Sequence, residues 1–377
     1  MSRDTSPLAR DAHLIRWILA LIAIIIVGTV FFGGYSGLQR LFGVSGAAPQ
    51  ASTAPADLTG ALVLSVGMTS ASTGQSVMAP LLIWAATGAR ESIQADQLGS
   101  GPAIAFQYSI SRDSNSAVFL ATPIIGTGAD MHTAQETPSI YRADTSAVTD
   151  SSSLTAALQA AASVADPTST DYFREFPVIA PSTAILYSSL PRSAYLQSST
   201  TLGSLDADAW NIDMLDPSGA KTTVATGLYP KWVDATHFAF LKDDGIYVHD
   251  LASGSDTKVW NLTRPATATM GFDVSDDGQF AAVTDPADGS VQVIRALNWP
   301  GGILSTFATL PITATNPVLS PDDHYLAMVA LQPGGSDPES PLIPTLEYYS
   351  LTTQQFLPQS LVFDPTTTTA IYLTDWR

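Results

Sequence analysis

Five histidines (His13, His132, His237, His249 and His324) and three acidic pairs (Asp243 with Asp244, Asp276 with Asp277, Asp322 with Asp323) are the residues whose types could carry chemistry. The histidines are scattered, with no HExxH pattern and no pair at i and i+4, so none has the spacing by which a helix offers two imidazoles to zinc. Asp130, His132 and Glu136 share one short polar stretch that could meet a divalent cation, but solvated loop polarity is the favoured reading of them. The acidic pairs recur between apolar runs, and repetition at one structural place marks turn chemistry rather than a general acid and base. A GxSxG elbow, a phosphate-cradling loop and a dinucleotide fingerprint are missing from the sequence. The sequence therefore predicts no catalytic, cofactor-binding or metal-ligating residue, and reads as a binding protein rather than an enzyme.

The composition says what kind of scaffold must hold these residues. Charged residues make up 13% of the 377, and plentiful small, hydroxylated and proline residues suit strands and turns better than long solvated helices. With 16 Lys plus Arg against 34 Asp plus Glu, the net charge is −18, so a phosphate backbone would be repelled and nucleic acid is excluded as a partner. There are no cysteines, so packing and strand pairing alone must hold the fold.

Residues 17 to 34, WILALIAIIIVGTVFFGG, carry no charge and run for eighteen residues, nearly the length that crosses a ~30 Å hydrocarbon layer. Tyr35 extends the segment at the interface. Arg3, Arg10 and Arg16 precede it and only Arg40 follows closely, which places residues 1–16 in the cytoplasm and everything after residue 35 outside. The small residues Ser45 to Ala48 would suit a signal peptidase, but they lie too far beyond too long an apolar stretch, so an uncleaved anchor over 17–35 is the expectation. Residues 43–59 are rich in Ala, Ser, Pro, Gly and Thr and read as a linker. The expected extracytoplasmic domain is 60–377; beyond residue 35 there are 13 basic and 32 acidic residues, a charge of −19.

A unit recurs along that domain. Its first half is a strand, a polar turn and a strand, seen at Ala105, Phe176, Lys231, Gly271, Asn316 and Leu361; its second half is another strand pair, seen at Leu81, Ser139, Ala209, Gly245, Gly289 and Thr345. Taking Ser111, Ala180, Val233, Ser275, Ser320 and Asp364 as equivalent turn positions gives separations of 69, 53, 42, 45 and 44 residues. The last three match the ~40 to 50 residues of a four-stranded propeller blade, and insertions at 123–137, 150–172 and 189–208 lengthen the first two. DVSDDGQFAAV, PVLSPDDHYLAMV and IYVHDLASG resemble the WD40-like or TolB-like β-propeller repeat, over roughly residues 81 to 374. The N-terminal second-half pair LLIWAATGARESIQA and the C-terminal first-half pair LVFDPTTTTAIYL would together complete one blade and close the ring. The expectation is an all-β propeller of six four-stranded blades; ALVLSV at 61–66 is one strand beyond that count and leaves seven blades, or an appended strand, open.

SSSLTAALQAAASVADP predicts one inserted helix over about 151–165, capped by serine, with Leu154, Ala157, Leu158 and Ala161 on one face and Pro167 beyond its end. Asn261, Leu262 and Thr263 form a glycosylation sequon, which matters only in a host that glycosylates. A rigid ring with variable loops is a platform, so the expected function is a membrane-anchored protein-binding or envelope-assembly scaffold using rim loops. The alternative is a carbohydrate-binding protein or hydrolase in the central funnel, which would need two axial carboxylates roughly 5 to 10 Å apart.

Overall fold

In a computed structural model of the chain, the described residues are 58–69, 76–92, 97–98, 101–125, 132–133, 138–164, 172–180, 182–197, 205–285, 287–296, 299, 304–333, 342–363 and 368–377. The expected cytoplasmic tail (1–16), membrane helix (17–35) and most of the linker (43–59) lie outside them. Among the described residues no helix is long and apolar enough to cross a membrane.

The first sheet begins with β1 (Ala61–Thr69), β2 (Ser76–Trp84) and β3 (Arg90–Ser92). The second contains β4 (Gln97–Leu98), β5 (Gly101–Ile110), β6 (Ser116–Ile125), β7 (His132–Thr133), β8 (Ser139–Asp144) and β9 (Ala162–Ser163). The third is β10 (Tyr172–Ile179), β11 (Ile185–Pro191), β12 (Asn211–Leu215) and β13 (Lys221–Thr226), and the fourth β14 (Leu228–Trp232), β15 (His237–Lys242), β16 (Gly245–Asp250) and β17 (Ser255–Asn261). The fifth is β18 (Phe272–Val274), β19 (Phe280–Thr284), β20 (Val291–Ala296) and β21 (Leu304–Leu310), and the sixth β22 (Ala314–Leu319), β23 (Tyr325–Pro333), β24 (Leu342–Ser350) and β25 (Gln355–Val362). Finally β26 (Thr368–Trp376) returns to pair antiparallel with β1 and completes the first sheet. The inner strands β26, β5, β10, β14, β18 and β22 contact one another in turn around the ring. This is an all-β, six-bladed propeller.

Period-2 alternation sends each strand's side chains toward two neighbouring blades. Ala61 and Val63 of β1 pack with Tyr108 and Phe119 of blade 2, whereas Leu62 and Leu64 pack with Val329 and Tyr348 of blade 6. The core is accordingly six apolar layers, one between each pair of adjacent blades. Burying a Phe, Leu or Val side chain contributes about 1.5–3 kcal/mol each, so these layers hold the ring without disulfides.

Several expectations need correction. The closing blade is made of one C-terminal and three N-terminal strands, not two and two. LVF at 361–363 lies at the end of β25, and ALVLSV becomes β1, the second strand of blade 1 rather than an extra one. Leu58 and Thr59 belong to the propeller rather than the linker: Leu58 is buried against Trp376, whose Nε1 donates to the Thr59 carbonyl at 2.8 Å. Closure also needs a residue without a side chain beside it, because Gly60 has φ +80° and a Cβ there would sit 2.6 Å from the Arg377 carbonyl oxygen.

The helix, α1, spans Ser151–Gln159 and stops six residues short of the expected end, because residues 162–163 form β9, the outer strand of blade 2. Its cap is Asp150 rather than a serine. Asp150 Oδ1 accepts from Ser153 N at 2.7 Å and Ser153 Oγ accepts from Asp150 N at 3.0 Å, a reciprocal capping box. Leu154, Leu158 and Ala161 pack into the layer between blades 1 and 2.

Candidate functional site

In an antiparallel blade the turn from the first strand to the second opens on one face of the ring, here the turn face. The turn from the second strand to the third, and the crossing to the next blade, open on the other, here the loop face. The acidic pairs divide between these faces. Asp276, Asp277, Asp322 and Asp323 lie on the turn face, in a device built three times. Ser111, Ser275 and Ser320 each donate to the aspartate two positions on (Asp113, Asp277, Asp322) at 2.5, 2.8 and 2.6 Å. Each serine oxygen also accepts from the backbone N–H five positions on, at 3.0, 2.9 and 2.9 Å. The position after the aspartate is left-handed in all three: Ser114, Gly278 and Asp323 have φ of 57°, 70° and 58°. The repeated acids therefore fold turns, as their recurrence predicts. Asp243 and Asp244 form the loop-face turn of blade 4, where Asp244 pairs with Lys258.

The histidines are not brought together. His249 is buried, stacks on Phe238 with ring centroids 4.9 Å apart and pairs through Nδ1 with Asp256 at 2.7 Å. His237 pairs with Asp234 at 2.9 Å, and the largely exposed His324 lies 3.8 Å from Asp322. Asp130, Glu136 and His13 lie outside the described residues, as does the side chain of His132. No group of three metal-ligating side chains exists among the described residues.

At the axis the inner strands share a feature the sequence reading missed. Gln107, Phe176, Tyr229 and Asn316 sit in the left-handed region, with φ of 52°, 54°, 55° and 50°, each inside a β-bulge. Each lies four residues before its blade's turn position, as does Gly271 in blade 5. The signal was present: Phe176, Tyr229 and Asn316 all precede proline, which cannot donate to a ladder and marks a bulge. These residues, with Tyr372 and Lys231, line a cavity of about 70 Å³ on the axis.

The turn-face mouth of this cavity is braced. Arg112 of blade 2 reaches across to blades 4 and 5, donating to the Val233 carbonyl at 3.1 Å and the Trp232 carbonyl, and pairing with Asp276 at 3.3 Å. Arg377 pairs with the same Asp276 at 3.2 Å and donates to the Ile110 carbonyl at 3.1 Å. Asp323 accepts from the Asp276 and Asp277 amides at 3.0 and 3.2 Å; burial, with the Asp277 charge beside it, pushes its carboxyl up to about 6. Asp375 accepts from the Ile110 amide, and burial raises its carboxyl too, against the pull of Arg377.

Toward the loop face the surroundings change. Phe176 stacks on Tyr229 with centroids 3.7 Å apart, and the Tyr229 hydroxyl donates to the Ala268 carbonyl at 2.9 Å. Gln107 donates through Nε2 to Glu175 and accepts from the Phe176 amide at 2.8 Å. Loss of hydration pushes the Glu175 carboxyl up to about 7 despite that donation. Tyr372 is 49% exposed, so the cavity is reached by solvent. The single charged residue lining the cavity is Lys231, held by Asp273 at 2.9 Å; no lining residue is a carboxylate. A carboxylate pair flanking a sugar is therefore not what this cavity presents.

No family model matches the sequence, and no curated protein matches it. Solved structures do. TolB from Acinetobacter baumannii superposes with a TM-score of 0.52 at 13% identity, over 85% of this chain and 68% of that one. An oligogalacturonate lyase from Vibrio parahaemolyticus (TM-score 0.47, 10% identity, 84% and 82% covered) and a TolB-like protein from Agrobacterium tumefaciens (0.44, 15%, 81% and 91%) are more distant in shape. What the chain shares with TolB is its architecture: it has the fold of a TolB-like β-propeller.

Proposed function

We propose that this chain is a membrane-tethered propeller that binds a protein partner on its loop face, as a receptor or assembly scaffold of the cell envelope. The observation that carries the reading is the asymmetry of the axis, bridged by Arg112 and Arg377 on the turn face and solvent-reached beside Tyr372. At about 70 Å³ the cavity is far smaller than the ~300–1,000 Å³ typical of sites that enclose a small molecule. It suits a side chain offered by a larger partner. The tether is the expectation for residues 17–35, with residues 1–16 in the cytoplasm and the acidic propeller outside.

The experiment is site-specific photocrosslinking in membranes of the full chain, with the crosslinking residue at Thr313 or Arg264 on the loop face, or at Ser218 on the turn face. Discrete protein adducts from the loop-face positions are expected. Adducts from Ser218 alone, or from neither face, would sink the reading. Carbonate extraction tests the tether separately, since release of the full chain into the supernatant would rule out a spanning helix.

A further inference from the structure

The loop-face mouth carries a feature that general protein binding does not require. Glu175 precedes Phe176 on β10; one carboxylate oxygen accepts from Gln107, and the other has no hydrogen-bond partner among the described residues. Glu175 adjoins the cavity without lining it: its bonded partner Gln107 and its chain neighbour Phe176 both line the cavity, as do Tyr229 and Tyr372. Phe176 and Tyr229 are stacked, and the Tyr229 hydroxyl is pushed up by burial first and then by the charges of Glu175 and Tyr372, so the three groups sit within electrostatic reach of one another. Lys231, the cation already lining the cavity, is neutralised by Asp273, whose second oxygen is fixed by the Leu319 amide at 2.8 Å.

A part-buried carboxylate next to a cavity walled by aromatic rings suits a cation that sheds part of its water. The carboxylate attracts strongly in low dielectric, and the ring quadrupoles add to it. Beyond residue 35 the chain has 13 basic and 32 acidic residues, so its long-range field also draws a basic partner. The cavity admits one side-chain head and little more. We infer that the loop-face mouth of the axis is a socket for one lysine or arginine side chain of a protein partner, with Glu175 as counter-ion and Phe176, Tyr229 and Tyr372 as its wall. This rests on the loop face being the binding face.

The test is selection of displayed heptapeptides on the full chain in detergent micelles. Selected peptides are expected to share one Lys or Arg, whose replacement by Gln weakens binding at least tenfold. Glu175→Gln, which preserves size and a partner for Gln107, should weaken the parent peptide as much and leave the Gln-substituted peptide unchanged. Tyr372→Leu, which removes one ring of the wall at a half-exposed position, should weaken the parent peptide several-fold. Binders lost on Tyr372→Leu but indifferent to their own basic residues and to Glu175→Gln overturn the socket and keep the loop face. A selection whose binders all ignore Tyr372→Leu, or that returns none, overturns both.

Discussion

At the turn face three of the inner strands run into short serine–aspartate turns that are nearly copies of one another, and two arginines reach across the axis beside them. At the loop face the same strands begin from connections of unequal length, and the axis there presents aromatic rings and a carboxylate short of partners. At one end the arginines and aspartates around the axis are paired with one another and with the backbone. The other leaves groups that an outside molecule can satisfy. Repetition favours the first outcome, because identical turns can be braced by identical bonds; irregular connections favour the second, since each can be altered without breaking the ring.

The largest expected effect bears on the braced end. Arg112→Ala strips a guanidinium from two backbone carbonyls and from Asp276, and should cost about 3 kcal/mol in urea unfolding. A loss under ~0.5 kcal/mol would erase the contrast between the two mouths. Ser320→Ala removes a hydroxyl that both donates to Asp322 and accepts from the buried Tyr325 amide; a cost of about 1–2 kcal/mol is expected, against under ~0.5 kcal/mol for an exposed substitution such as Ser218→Ala. Gly278→Ala should cost about 1 kcal/mol. The introduced Cβ would meet nothing nearer than Val233 at 3.7 Å, so the strain comes from φ +70° alone. Ser114→Gly, at the equivalent left-handed position, should gain about 0.5 kcal/mol.

Acidity separates the two ends by a smaller margin. Asp323 and Glu175 are held up, to about 6 and about 7, chiefly by burial, so between the ordinary carboxylate range and those values the folded protein keeps protons that the unfolded chain has released. Their contribution to stability is therefore full at low pH and is lost as pH rises through 6 and then 7. Unfolding measured across that range should show Asp323→Asn reducing the decline only below about 6, and Glu175→Gln reducing it from the ordinary carboxylate range up to about 7. A loss of slope above about 6 in Asp323→Asn would mean that the two ends titrate as one unit.

The sequence made the turn face readable because its chemistry is local: Ser275 to Gly278 and Ser320 to Asp323 carry their own turn, and the blade spacing follows from them. The closing blade was misjudged for the same reason. Asp364–Pro365 looks like another such turn, while the pairing that decides the matter joins β1 to β26 across 300 residues of chain and leaves no local mark beyond alternating apolar residues. The braces were equally hidden, since nothing next to Arg112 in sequence announces that it reaches blades 4 and 5. The bulges could have been found from X-Pro steps four residues before the turns, whereas the mutual approach of Glu175, Gln107, Tyr229 and Tyr372 belongs to the ring and to no one segment.

The division of blade 1 into three early strands and one late one has a kinetic consequence. As the chain is synthesised, β1 must wait with one edge bare until β26 arrives, while blades 2 to 6 can assemble from neighbours as they emerge. A contact so distant along the chain is slow to find, and an unpaired strand reading ALVLSVGMT is the kind of surface that sticks to other chains meanwhile. Newborn molecules are thus most exposed to aggregation at their N-terminal blade, until the last strand docks.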